Sequence, residues 1–302
     1  MEEQNYHDPV LLQESIEGLN IDPAGVYVDV TFGGGGHSSA ILAQLGPEGR
    51  LYAFDQDADA ADNSLGDERF KLLPHNFRFL KRFLRLEGVR KVDGVLADLG
   101  VSSHQFDTAH RGFSFRFDAP LDMRMNQQAD LTAAKVVTTY NAKNLQELFS
   151  QYGELRNART LAQQIVAAKD SGTSLQTIGE FISAIDSCIK GKRNRYLSQV
   201  FQALRMEVNG EIEVLKEMLW QAMELLKKEG RLVVISYHSL EDRLAKNLIK
   251  KGTFGTEPEK DEFGHFELPL KATHKKIILP SAEEIKRNPR ARSAKMRVAK
   301  KL

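Results

Sequence analysis

The order of apolar and polar positions divides the chain into three stretches. From Val26 to Leu99, short apolar runs alternate with helical patterns: Val26–Val30, Leu51–Asp55, Phe70–Pro74 and Val92–Asp98 read as strands, and His37–Leu45 as a helix with Ile41, Leu42 and Leu45 inward. Over Asn76–Leu86 a helix is predicted with Phe77, Leu80, Phe83 and Leu84 on one face and Arg78, Lys81, Arg82 and Arg85 on the other. Such strand–helix alternation predicts right-handed βαβ units around a parallel sheet. The pattern resumes near Asn209, where Ile212, Leu215, Leu219, Ala222 and Leu226 mark a long amphipathic helix ended by Gly230. Arg231–Ser236 then reads as a buried strand, and Ser239 opens a helix with Asp242 as its capping-box partner. The middle stretch differs. Gly100–Lys143 has no helical or strand period, and a loop of that length is functional or disordered. Helix starts are expected beyond it at Asn144 with Glu147, and at Thr177 with Glu180. The reading is therefore one α/β domain, residues 1–109 and 206–302, split by an inserted, mostly helical domain over residues 110–205.

Charge changes this picture only locally. Lys plus Arg number 42 against 41 Asp plus Glu, so a nucleic-acid partner must be argued from patches. Two exist. Lys190, Lys192, Arg193 and Arg195 cluster in the insert, and Lys286–Leu302 is rich in Lys and Arg with no acid. The second reads as either a solvated tail or a nucleic-acid contact. The single cysteine, Cys188, cannot form an intramolecular disulfide. No apolar run approaches the roughly 18 residues of a spanning helix, and the N-terminus is polar, so a soluble cytoplasmic protein without membrane association is expected. No histidines or carboxylates show metal-ligand spacing, so no metal is expected.

The densest chemistry lies in Val28-Asp-Val-Thr-Phe-Gly-Gly-Gly-Gly-His37, which leads from a strand into a helix. Gly33–Gly36 let a ligand approach the backbone, and the helix start offers unpaired N–H groups. Asp55 ends the next strand, where a carboxylate can accept both hydroxyls of an adenosine ribose. A dinucleotide fingerprint counted from Gly33 would require glycine where Ser38 stands, and Asp29 would set negative charge near a pyrophosphate. Both features disfavour NAD. They suit S-adenosylmethionine, which is cationic and carries no phosphate. Asp98, Ser102 and Ser103 follow the fourth strand and should share the crevice beyond the strands' carboxyl ends.

These segments resemble a specific family. Tyr6-His-Asp-Pro-Val10, Thr31–Ser38, Asp98-Leu-Gly-Val-Ser-Ser103, Arg111-Gly-Phe-Ser-Phe115 and Pro120-Leu-Asp-Met-Arg-Met125 occur in order. Phe201-Gln-Ala-Leu-Arg205, Ser236-Tyr-His-Ser-Leu-Glu-Asp-Arg243 and Asn288-Pro-Arg-Ala-Arg-Ser-Ala-Lys295 complete the set. Together they resemble the bacterial 16S rRNA (cytosine-N4)-methyltransferases. The resemblance implies a Rossmann-like class I methyltransferase fold and S-adenosyl-L-methionine as cofactor. It implies methyl transfer to the exocyclic amine of a cytidine in the decoding region of 16S ribosomal RNA in the small ribosomal subunit. It also implies cofactor contacts at Gly33, Gly35, Gly36, His37, Asp55, Phe77, Asp98 and Gln105.

A cytosine amine is a weak nucleophile because its lone pair is delocalised into the ring. Catalysis needs in-line positioning and an acceptor for an N4–H, for which Asp98 is the first choice and Ser102 and Ser103 are alternatives. Asp122, Arg124 and His238 are candidates for holding the flipped cytosine and its phosphate. The competing readings are a loop ion pair for Asp122 with Arg124, and a helix cap for His238. Other functional classes are an NAD-linked oxidoreductase and a non-catalytic RNA-binding assembly factor. A homodimer is left open.

Overall fold

The computed structural model describes residues 9–255 and 268–302, so Tyr6, His7 and Asp8 of the first motif lie outside the described residues. The chain forms two compact units, Met1–Gly100 with Ile212–Leu302, and Val101–Glu211.

The first unit is α/β. Its sheet holds β1 (Val26–Asp29), β2 (Arg50–Phe54), β3 (Phe70–Leu73), β4 (Val92–Asp98), β5 (Leu226–Ser236), β6 (Leu270–Ala272) and β7 (Lys295–Lys301), in the order β3-β2-β1-β4-β5-β7-β6. Strands β1 to β5 run parallel, β7 pairs antiparallel with β5, and β6 pairs antiparallel with β7 at the sheet edge. Burial on both faces explains the unbroken apolar runs Val95–Ala97 of β4 and Leu232–Ile235 of β5. Val95, Ala97, Leu232 and Val234 face one core cluster, and Leu96, Val233 and Ile235 face another.

Gly94, a register partner of Tyr27, sits mid-strand because the Tyr27 ring crosses it. A Cβ there would stand 2.7 Å from that ring. The Tyr27 hydroxyl is fixed by the Asp22 N–H at 2.7 Å, so the ring cannot step aside.

Three local expectations are corrected. The long helix stops at Leu225, because Leu226 already pairs with Val92. Gly230 does not end a helix; it lies where a Cβ would press on the backbone oxygens of Lys227 and Asp93, at 2.9 and 3.0 Å. The basic segment at 286–302 is not a solvated tail. Lys295–Lys301 is a strand between β5 and β6, with Met296, Val298 and Ala299 buried. Arg297 grips Asp242 through two bonds, at 2.7 and 3.1 Å, and Lys300 bonds Glu229 at 2.7 Å. The cap of helix Ser239–Lys251 is also one residue earlier than expected. His238 and Glu241 form the box, which leaves Asp242 for Arg297.

The second unit is mostly helical, with a core of its own that includes Val136, Leu148, Phe149, Ile165, Phe181 and Leu204. Thr177 and Glu180 make the expected capping box, but the earlier helix is capped by Asn141 rather than Asn144. The aperiodic stretch is woven into this core. Gly112, at φ +74°, passes where a Cβ would meet the Pro120 oxygen at 2.6 Å. The buried Arg111 guanidinium donates to the carbonyls of Arg124 and Met125, both at 3.1 Å. The Arg111–Phe115 and Pro120–Met125 motifs are thus two halves of one folded loop.

Gly94→Ala should destabilise the protein by about 1–3 kcal/mol through overpacking, read as a lowered urea midpoint with unchanged m-value. An unchanged midpoint would refute the close packing of Tyr27 on this strand.

Candidate functional site

The carboxyl ends of β1, β2 and β4 converge in the first unit, where an open α/β sheet places its ligands. Asp29 closes β1 and is 1% exposed. Its Oδ1 accepts from the Thr31 N–H at 3.0 Å, and its Oδ2 from the Ser38 hydroxyl at 2.7 Å. Ser38 thus stands where a dinucleotide fold has glycine because its hydroxyl ties the helix start to the strand end. Thr31 carries the tie further, since its Oγ1 accepts from the Asp98 N–H at 2.7 Å. The glycine loop is held between these anchors. Gly33 N–H donates to Asp55 Oδ2 at 2.9 Å, and Asn63 donates to the Gly33 carbonyl at 3.0 Å. Gly35, at φ +77°, precedes helix Gly36–Gln44. Gly36 leaves no room for a side chain, since a Cβ would clash with Pro9 Cγ.

Two carboxylates line this pocket at a cost. Asp55 accepts from the N–H groups of Gly33 and Asp57, yet burial pushes its carboxyl up to about 6. Asp98 is 21% exposed, and His37 Nδ1 lies 3.8 Å from its Oδ2. Its Oδ1 accepts from the Tyr237 hydroxyl at 2.8 Å. Burial pushes Asp98 up to about 6 as well, against the pull of His37 and Tyr237. His37 Nε2 lies 3.1 Å from the Val10 carbonyl. A carbonyl only accepts, so Nε2 carries a proton and Nδ1 faces Asp98. Phe77, half-buried against the core, starts the turn after β3. Its neighbour Asn76 donates to Gln56 at 2.7 Å, which brings that turn beside Asp55.

His238, also in this unit, caps helix Ser239–Lys251, with Nε2 3.0 Å from Glu241 Oε1. The remaining candidates lie in the second unit. Ser102 and Gln105 form a capping box, with Ser102 Oγ accepting from the Gln105 N–H at 3.1 Å and Ser103 as the first helical residue. Arg124 closes on Asp122 through two bonds, at 2.9 and 2.7 Å, and donates to the carbonyls of Gln127 and Ala129. That pair organises its own loop. Lys190, Lys192, Arg193 and Arg195 are exposed at the start of helix Arg193–Asn209, with Arg193 paired to Asp186.

Thr31, Tyr237 and Glu241 were not singled out from the sequence as site residues. A parallel β4–β5 pair would have flagged Tyr237, because it sets the residues after both strands side by side.

The pocket fits an adenosine ligand with positive charge. Three carboxylates, Asp29, Asp55 and Asp98, gather at the strand ends, two of them penalised by burial, and among the described groups that act on Asp55 and Asp98 there is no Lys or Arg to receive a pyrophosphate.

Comparison with known proteins agrees with this chemistry. The model of the MraW methylase family matches residues 4–302. A protein of Flavobacterium johnsoniae called ribosomal RNA small subunit methyltransferase H is 56% identical over 298 residues, covering 98% of each chain. Proteins of the same name from Christiangramia forsetii and Bacteroides thetaiotaomicron are 56% and 54% identical, covering 98% and 99% of each chain.

Asp98 sets a pH signature in the ligand-free protein. Between about pH 4 and 6 the folded carboxyl holds a proton that the unfolded one has released, so stability falls as pH rises through 6. At about 1.4 kcal/mol per pKa unit, ionisation of Asp98 costs the fold up to about 3 kcal/mol. Asp98→Asn should therefore be more stable than the parent at pH 8, by about 1–3 kcal/mol, with the gap closing towards pH 4. Urea titrations at both pH values check this; a gap independent of pH would contradict it.

Proposed function

Since the chain belongs to the MraW methylase family, we propose that it transfers a methyl group from S-adenosylmethionine to the exocyclic N4 amine of a cytidine in the decoding region of 16S ribosomal RNA. It is an S-adenosylmethionine-dependent rRNA methyltransferase. The observation that carries the reading of the site is the meeting of Asp55, Asp98 and the Gly33–Gly36 loop at three adjacent strand ends.

When bound, S-adenosylmethionine supplies an electrophilic methyl group on a positively charged sulfur. The chain's residues divide the remaining work. Asp55 would accept from the ribose hydroxyls, Phe77 would wall the adenine, and Gly35, Gly36 and His37 would line the loop against the cofactor. Asp98 accepts an N4–H, which localises the nitrogen lone pair towards the methyl group. The amine proton becomes acidic only as the new bond forms, so a strong base is not required. Ser102 is a weaker candidate for this role because its Oγ already accepts from the Gln105 N–H.

The helical unit takes the RNA. Phosphate contacts fix register without reading sequence, and the exposed cluster of Lys190, Lys192, Arg193 and Arg195 is suited to them. The strand Lys295–Lys301 is a poorer candidate, since Arg297 and Lys300 are committed to Asp242 and Glu229. The protein acts in the cytoplasm on the small ribosomal subunit. Among the described residues no helix is long and apolar enough to cross a membrane.

Incubation with tritiated S-adenosylmethionine and small subunits from cells lacking this activity should place label in N4-methylcytidine, and Asp98→Ala should abolish it. Label in another nucleoside would refute the cytosine assignment. Cofactor binding without any label would point to an assembly factor. Separately, the triple change Lys190→Glu, Lys192→Glu and Arg195→Glu should weaken RNA binding. It should also flatten the dependence of log K on log salt by about 2, at roughly 0.7 per lost phosphate contact on a single strand. An unchanged slope would remove this patch from the interface.

A further inference from the structure

Tyr237 follows β5, and the parallel pairing of β4 with β5 sets it beside Asp98. Its hydroxyl donates to Asp98 Oδ1 at 2.8 Å. The residue is held at its other end too. Its N–H donates to Glu241 Oε2 at 2.9 Å, and Glu241 is 3% exposed. Its ring packs on the core cluster that includes Leu96, Ile235 and Met296. The phenol stays protonated: burial and the neighbouring Asp98, Glu241 and Glu284 push Tyr237 well above its ordinary 10. A half-buried, neutral phenol whose ring packs on the core and whose backbone is tied to Glu241 is a held donor. On the other side of the bond, Asp98 has its N–H held by Thr31, its Oδ1 held by Tyr237, and its Oδ2 beside His37 Nδ1.

We propose that Tyr237 is a positioning residue for methyl transfer: by holding Oδ1 of Asp98 it presents Oδ2 as the one carboxylate oxygen offered to the incoming amine. This deepens, and rests on, the reading of Asp98 as the N4–H acceptor. Replacing Tyr237 by Phe keeps the ring and removes the bond. The carboxylate is then free to turn, and it loses a hydrogen bond that favours its charged form. The titratable groups facing Asp98 are His37 from helix Gly36–Gln44, Asp29 from β1, Glu241 from helix Ser239–Lys251, and Tyr237 itself. Only the last is altered by the substitution.

Tyr237→Phe should lower kcat/KM on small subunits about tenfold at pH 7 and move the acid limb of its pH profile upward by about half to one unit. In ligand-free protein, carboxyl ¹³C NMR should show the Asp98 midpoint rising by the same amount, the resonance being identified by its loss in Asp98→Asn. An acid limb and a midpoint that both stay in place would overturn the proposal even if activity fell, because loosened packing slows turnover without moving either. A parent protein that methylates nothing but whose midpoint still moves would sink the functional reading and leave the Tyr237–Asp98 coupling intact. Difluorotyrosine at position 237, a stronger donor of nearly the same shape, covers a Phe variant that fails to fold. It should lower the Asp98 midpoint, and no change would count against the proposal.

Discussion

A carboxylate taken out of water must be given donors, and Asp29 at the end of β1 imposes that demand on everything around it. The Thr31 amide and the Ser38 hydroxyl answer it, which fixes where the glycine loop leaves the strand and where the helix begins. Thr31 then reaches the backbone of Asp98 on β4. One buried anion therefore sets the spacing between two strand ends and the loop that spans them. Asp55 and Asp98 are the parts left with unspent accepting capacity. Both are held in a charge state that burial resists, which is the condition in which a cationic ligand is most welcome.

The parallel half of the sheet was legible because each strand is apolar, short and bounded by turn residues, and because the glycine run and Asp55 stand at strand ends. What escaped the sequence was mostly competition between two signals at one position. Lys295–Lys301 carries alternating buried residues, but its cations dominate the eye, and their partners Asp242 and Glu229 lie far away in the chain. The box at Ser239 and Asp242 looks as good on paper as the one at His238 and Glu241; the choice is made by Arg297, which claims Asp242. Leu226 continues the helical period of its neighbours, yet pairing with Val92 ends the helix one residue before it. In each case tertiary contact overrode a local preference.

The site was legible to a different depth in its two parts. Residues tied to backbone geometry, such as Gly33–Gly36 and the strand-end aspartates, announce themselves through spacing. Asp122 and Arg124 did not reveal whether they face a ligand or each other, because two residues' separation permits both. The structure has them bonded to each other, with the remaining guanidinium donors on the carbonyls of Gln127 and Ala129. Tyr237 was hidden for the opposite reason. Its partner is 139 positions away, and only strand order makes them neighbours.

The splitting of the sheet by the helical unit also has a temporal meaning. On a ribosome, β4 emerges long before β5, and at about 5–20 residues per second the intervening segment takes on the order of ten seconds to make. During that interval the helical unit, which carries its own core, can complete itself. The half-built sheet meanwhile presents β4, with its buried run Val95–Ala97, as an open edge with unpaired amides. Nascent chains of this protein should therefore depend on chaperone protection most strongly in the window before Leu226 is synthesised.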